Sequence, residues 1–138
     1  MGVENFKFLI GTRGFNDIID ITRQVADLVS RVKERNALVH VYTVGSTVSI
    51  ITLEYEPGLV QDLPEILDEI APINRVYHHD EKWHDGNGYA HIRSALLGNG
   101  ITIPLVEGEL MLGQWQQVIL IDFDNKARSR QIIVQVIY

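Results

Sequence analysis

Histidines and acidic residues concentrate in one polar segment of the chain, residues 77–91. Four of the five histidines lie there, together with three acids, an asparagine, two glycines and a tryptophan. Histidine is the commonest protein ligand of transition metals and the side chain that titrates nearest neutrality. Because the segment has the period of neither a strand nor a long helix, we interpret it as a loop that could carry chemistry. The alternative is a solvated loop whose histidines have no role.

Two of these histidines, His79 and His91, could coordinate one metal ion. They lie twelve positions apart, and His91 falls on the first turn of a short predicted helix. A loop leading to a helix start can bring two imidazoles onto one metal ion, although this spacing has little specificity. Further candidate ligands in the same segment are His78, His84, Asp80 and Asp85.

Three features outside the polar segment could also contribute to a site. Glu54 follows a strongly apolar strand, where it could direct a carboxylate at a ligand or begin a solvated turn. Arg128 and Arg130 alternate along the last strand, so they share a face that suits phosphate or carboxylate. Pairing with surface acids is the simpler alternative for both arginines. Gly113 precedes Trp115, whose indole we interpret as half core and half pocket wall.

The composition restricts the class of protein. The 138 residues are enough for one domain, and the net charge of −6 argues against a general nucleic-acid binder. The absence of cysteine excludes disulfides and thiolate metal sites. No signal peptide and no apolar run of about 20 residues is present, so we expect a soluble, cytoplasmic protein without a membrane partner. The signatures of nucleophile elbows, phosphate loops, dinucleotide sites and metalloproteases are missing.

The elements that must position these residues follow from hydrophobic periodicity. Strands are predicted over residues 3–10, 15–21, 38–44, 47–53, 101–106, 109–112, 117–123 and 128–137. Thr22 is the predicted N-cap of a helix ending near residues 34–36, and a second helix follows Pro57 and closes at Pro72. Asn87 can cap a short helix over residues 90–97. Runs of strands joined by short turns predict an α+β domain with a largely antiparallel sheet, two main helices and one short helix.

Several uncommon residues keep an order and spacing that resemble the YjbQ family of small proteins. They are Tyr77-x-His79-Asp80, Asn87-x-x-Ala90-His91-Ile92, Leu97-Gly98, Pro104, Gly108-x-Leu110-x-Leu112-Gly113-x-Trp115-Gln116 and Arg128-x-Arg130. The similarity runs over nearly the whole chain. It implies an α+β fold, assembly as a homotrimer and a histidine-lined, zinc-binding site. The family is described as a secondary thiamine-phosphate synthase, which joins a pyrimidine diphosphate to a thiazole phosphate.

The resemblance also assigns roles to individual residues. His79 and His91 match two of the three site histidines, as metal ligands or as acid and base groups. The remaining assignments are Glu54 and Asn87 as catalytic residues, Thr47, Trp115 and Gln116 as pocket residues, and Arg128 and Arg130 as anion-binding residues.

One position departs from the family pattern in a way that affects the metal. The family usually reads His-Thr-Thr where this chain has Gly45-Ser46-Thr47, so the third histidine is replaced by glycine. Two imidazoles fall short of the three protein ligands usual in a catalytic zinc site. Either His84 or Asp80 substitutes, or the metal is weakly bound or absent. If an imidazole fits at position 45, Gly45→His is expected to raise the affinity for zinc.

Two functions stay open on the sequence. The first is an enzyme of the family's described type, in which the site binds both substrates and stabilises a pyrophosphate leaving group. The second is a non-catalytic homotrimer that binds a phosphorylated or carboxylate small molecule. The glycine at position 45 favours the binding protein, whereas the retained His79, His91, Asn87 and Trp115 favour the enzyme.

Overall fold

The computed structural model describes residues 1–138 and contains eight strands and four helices. The strands are β1 Val3–Thr12, β2 Asp17–Asp20, β3 Ala37–Val44, β4 Val48–Leu53, β5 Gly100–Val106, β6 Glu109–Leu110, β7 Gln117–Asp122 and β8 Arg128–Ile137. The helices are α1 Thr22–Val29, α2 Pro57–Ile70, α3 His78–Trp83 and α4 Gly88–Leu97. None of the four helices is long and apolar enough to cross a membrane.

The strands form two antiparallel sheets, which confirms the predicted α+β class. One sheet has the order β1-β8-β3-β5-β6 and the other has the order β2-β7-β4. Residues of both sheets share the larger hydrophobic core, and a second core lies between the three-stranded sheet and helices α2 and α4. Strand β7 is therefore covered on both faces, which explains why Val118–Phe123 is a continuous apolar run apart from Asp122.

Helix α1 differs from its predicted form. It ends at Val29, several residues before the predicted end, and the backbone continues in two turns in which the Arg31 and Val32 amides donate to Leu28 and Val29. Thr22 does not cap this helix. Its hydroxyl instead donates to Asp20 at 2.6 Å and accepts the Val118 amide at 2.8 Å.

The polar segment contains a helix that its composition does not predict. Residues 78–83 form α3, which ends at His84 in the left-handed conformation, with a φ of +58°. Asn87 precedes α4 as predicted, but its side chain makes no capping hydrogen bond. The Asp80 carboxylate accepts the Gly88 amide at 2.9 Å instead. Asp80 therefore connects α3 to the start of α4.

Strand pairing determines which predicted site residues can meet. Strands β4 and β7 run antiparallel, with Val48 opposite Asp122 and Leu53 opposite Gln117. One edge of this sheet therefore carries Thr47 and the residues after β7. The opposite edge carries Glu54 and the residues before β7, about 20 Å away at roughly 3.3 Å per strand residue.

Candidate functional site

The histidines and carboxylates of the polar segment converge around α3. His79 Nδ1 lies 3.2 Å from an Asp80 oxygen and 3.3 Å from an Asp85 oxygen. The rings of His79 and His91 are 4.5 Å apart between centroids and tilted by 45°. The structure therefore brings together the two histidines on which the resemblance rests, although α3 and a turn separate them in sequence.

This group of side chains fits a divalent metal ion. A nitrogen of His79 and one oxygen each of Asp80 and Asp85 lie within 4.8 Å of one another. Histidine with carboxylates is a donor set that zinc and other divalent transition metals accept. In a second arrangement, His79 donates its Nδ1 proton to the carboxylates and offers Nε2 beside His91. His84 is exposed at the end of α3 and lies outside this group.

The environment of His91 favours its neutral form. Burial lowers the pKa of the His91 imidazole, and the neighbouring His79 lowers it further. The carboxylates of Asp124, Asp85 and Asp80 act in the opposite direction without outweighing burial. A neutral imidazole is the form that coordinates a metal or accepts a proton, so His91 is ready for either role near neutral pH.

Arg130 is a buried guanidinium fixed by Asp122. Its Nε donates to one Asp122 oxygen at 2.6 Å, and its Nη2 donates to the other at 2.8 Å. Nη2 also donates to the Thr47 hydroxyl at 2.7 Å, and Thr12 donates to Asp122 at 2.5 Å. This bidentate pair fixes the orientation of the guanidinium. Only Nη1 has no acceptor in the protein.

Asp124 connects the arginines to the histidines. Its Oδ2 accepts Thr47 Oγ1 at 3.1 Å and Arg128 Nε at 2.9 Å, while its Oδ1 accepts Asn87 Nδ2 at 3.2 Å. A carboxylate can only accept, so the orientation of the Asn87 amide is fixed and its Oδ1 stays buried without a partner. Asn87 directly precedes α4, whose first turn carries His91. Histidines, carboxylates and arginines therefore form one connected site.

The structure also explains what occupies the space beside Gly45. A Cβ atom at this position would lie 2.9 Å from Arg130 Nη1 and 2.9 Å from Val48 Cγ1, on a backbone with a φ of +155°. Both distances are shorter than side chains tolerate. An imidazole at this position fits only if both Arg130 and Val48 shift, and the Gly45→His prediction depends on that shift.

Three of the predicted site residues lie at the opposite edge of the three-stranded sheet. Glu54 and Trp115 line a cleft of about 410 Å³ there, and the Trp115 side chain is largely exposed. Gln116 fixes the loop before β7, since its amide donates to Thr52 at 3.1 Å and its oxygen accepts the Gly113 amide at 2.9 Å. Within one chain these residues are remote from the histidines.

Two residues of the connected site, Asp122 and Asp124, are not predicted from the sequence. Both have buried side chains, and Asp122 also accepts the Asp124 amide at 3.0 Å. A signal was present in the sequence. Asp122 interrupts an apolar strand, and the two acids repeat the two-residue spacing of Arg128 and Arg130. Matched charges at matched spacing indicate pairing between the end of one strand and the start of the next.

The fold and this connected site define a small α+β protein with a histidine- and arginine-lined site at one edge of a three-stranded sheet. Residues 7–138 match the model of the family described as UPF0047 protein YjbQ-like. The chain belongs to this family, which confirms the resemblance. A UPF0047 protein of Archaeoglobus fulgidus is 39% identical over 119 residues, covering 86% of this chain and 90% of that protein.

Solved structures agree with this assignment. A YbjQ-like protein of unknown function from Sulfolobus solfataricus superimposes with a TM-score of 0.92 at 28% identity, covering 98% of this chain and 96% of that one. A hypothetical protein from Aeropyrum pernix gives a TM-score of 0.87 at 29% identity, covering 95% and 96%. These similarities establish the fold and the family and assign no activity.

Proposed function

We propose that this protein binds a phosphorylated small molecule at the connected site, with a divalent metal ion beside the arginines. The observation that carries the proposal is the Asn87–Asp124–Arg128 connection, which joins the histidine group to the arginine pair. A phosphate ester needs N–H donors and positive charge. The guanidinium groups provide the donors, and the metal ion would provide the net charge, because Asp122 and Asp124 already neutralise the two arginines. The Nη atoms of Arg128 have no partner in the chain, and this side chain is 39% exposed.

The reaction we propose is the one that the family resemblance implies. A pyrimidine diphosphate and a thiazole phosphate are joined, and pyrophosphate is released. His79 would hold a zinc ion, either with Asp80 and Asp85 through Nδ1 or with His91 through Nε2, and a bound zinc ion would supply positive charge to the phosphate oxygens. The arginines would orient the phosphate, and neutral His91 could accept a proton if the metal leaves it free. We expect the protein to act in the cytoplasm.

The alternative is a binding protein without catalysis, and one observation favours it. Glu54 and Trp115, assigned by resemblance to the site, lie at the far edge of the sheet. A single chain therefore lacks part of the expected constellation. The assay that separates the two functions measures pyrophosphate release with both substrates present. Release above the level of a His91→Ala variant supports the enzyme, whereas substrate binding without release supports the binding protein.

The first prediction concerns the metal. Protein purified without a histidine tag or chelator should contain about one zinc ion per chain, the stoichiometry of a single mononuclear site. His79→Ala should abolish this content, because His79 is central to both ligand arrangements. His40→Ala is the matched control, since His40 lies on β3 and contacts Thr102 at 2.9 Å instead. Elemental analysis measures the content. Equal zinc in both variants would contradict the assignment.

We also propose the homotrimer that the resemblance implies. Three apolar side chains of β3, Leu38, Tyr42 and Val44, face outward and are 50%, 40% and 49% exposed. A row of exposed apolar side chains on a sheet face is typical of a protein contact. In a trimer, Glu54 and Trp115 of one copy could also lie near the histidines of another copy and so complete the site.

The second prediction tests this assembly. Light scattering on the gel-filtered protein should give a mass about three times the 15.7 kDa of one chain. Tyr42→Glu should lower this mass, because burying a carboxylate in an apolar contact is costly. Asn5→Glu is the control on the same outward sheet face, at the edge strand β1. A monomeric wild-type protein would contradict the trimer.

A further inference from the structure

The turn between β3 and β4 leaves one face of Arg130 open. The side chain of Arg130 is 8% exposed, and its Nε and Nη2 are fully engaged by Asp122 and Thr47. Nη1 has no acceptor in the chain. The side-chain atoms that are both unpaired and cut off from solvent are Asn87 Oδ1 and the Tyr89 hydroxyl, and Nη1 is not one of them. Nη1 is therefore unpaired and open to solvent. It points toward exposed Gly45, in the space that a side chain there would fill.

The same turn offers unpaired backbone donors. The amide N–H groups of Gly45, Ser46 and Thr47 donate to no backbone or side-chain acceptor in the chain. The carbonyls beside them are engaged, since Asn99 Nδ2 donates to Gly45 at 2.9 Å and Phe123 donates to Thr47 at 2.9 Å. The turn is thus held in place by its acceptors while its donors remain free. Successive free amides in a turn are a recurring anion-binding arrangement.

We propose that a terminal phosphoryl group binds between Arg130 Nη1 and the amides of the Gly45–Thr47 turn. One phosphoryl oxygen would accept a hydrogen bond from Nη1 over the face of Gly45 that a side chain would otherwise cover. The proposal rests on the proposed function and places the phosphate of its ligand at this turn, where Nη1 and three backbone amides offer four donor groups. Glycine at position 45 then has a positive role: it exposes Nη1 instead of merely removing a metal ligand.

The experiment compares Gly45→Ala with Gly11→Ala. A methyl group at position 45 meets Nη1 at 2.9 Å, whereas one at position 11, near the end of β1, has no neighbour within 4 Å. Calorimetric titration with inorganic phosphate and with pyrophosphate should show binding about tenfold weaker or more in Gly45→Ala, the effect of losing a charge-assisted hydrogen bond. Gly11→Ala should bind like wild type, and both variants should retain the metal.

A second measurement uses only the wild-type protein, so its result does not depend on whether the Gly45→Ala variant folds. In a pyrophosphate titration followed by amide NMR, the largest shifts should fall on Gly45, Ser46 and Thr47. If wild type binds neither phosphate nor pyrophosphate, the proposed function and this inference both fail. If wild type binds them but Gly45→Ala binds equally well, or the shifts fall elsewhere, only the inference fails.

Discussion

Replacing Asp124 with asparagine should lower the free energy of unfolding by about 3 kcal/mol at neutral pH, the cost of removing one partner from a buried charge network. The Asp124 carboxylate has four donors, Asn87, Thr47, Arg128 and the Asn125 amide. An asparagine keeps the shape but turns an NH₂ group toward some of these donors and leaves Arg128 without its counter-charge. Urea denaturation measures the change.

The same substitution should have an effect that depends on pH. Burial alone raises the pKa of Asp124, but the hydrogen bonds from Asn87, Asn125, Arg128 and Thr47 outweigh it, so the pKa is lowered overall. A carboxyl with a lowered folded pKa stabilises the protein above its unfolded pKa of about 3.9 and loses this contribution as the pH falls toward the folded pKa. The difference between wild type and Asp124→Asn should therefore shrink below about pH 4.

Asp62→Asn is the control for Asp124→Asn. Asp62 is exposed on α2 and makes no ion pair or side-chain hydrogen bond, so its substitution should change stability by less than about 0.5 kcal/mol. A pH-independent loss in Asp124→Asn would show that packing, and not the charge, is responsible. The variant should also bind phosphate more weakly, because Asp124 positions both Arg128 and Thr47.

The fold was predictable because its patterns are local. Strand β1 alternates between outward and inward residues, and α2 places Leu63 and Leu67 on one stripe that packs into the second core. Helix α3 was not predictable from such patterns. Its six residues are stabilised by Asp80, which reaches the start of α4, and by the left-handed conformation of His84. Both depend on tertiary context.

The site was predictable only in part, because sequence spacing does not show which strand ends share an edge. The pairing of β4 with β7 puts Thr47 beside Asp124 and sends Glu54 and Trp115 to the other edge. The sequence likewise identifies Gly45 as a missing ligand but cannot show that Arg130 Nη1 lies against the space that a side chain there would need. Both features follow from contacts between strands that are distant in sequence, and sequence spacing does not show such contacts.

Helix α4 carries His91 and directly follows Asn87. One buried cation on this helix, Arg93, anchors it to the rest of the chain. Its guanidinium is fully buried and donates to the Ala71 carbonyl at 3.0 and 2.9 Å, to Asn16 at 3.0 Å and to Asp68 at 2.6 Å. It therefore connects α4 to the end of α2. Because Ala71 is itself buried, no solvent is available to replace these bonds.

Arg93→Met should lower the free energy of unfolding by about 3–5 kcal/mol, since methionine fills similar space but leaves the Ala71 carbonyl and the Asn16 amide oxygen without a donor. Arg93→Lys should cost less, because an ammonium keeps the charge but cannot reach three acceptors in one plane. The control is Arg23→Met on the exposed face of α1, which has no partner and should change stability by less than about 0.5 kcal/mol.

The order of these three variants tests the physical account of Arg93. If the lysine and methionine variants lose equal stability, the planar geometry of the guanidinium is what matters. If Arg93→Met has the same free energy of unfolding as wild type, packing of the methionine replaces the stability that the arginine's hydrogen bonds supply. The apolar contacts of the second core then hold α2 and α4 together. In either case, phosphate binding by the folded fraction should persist, because Arg93 makes no hydrogen bond to Asp122, Asp124 or Arg130.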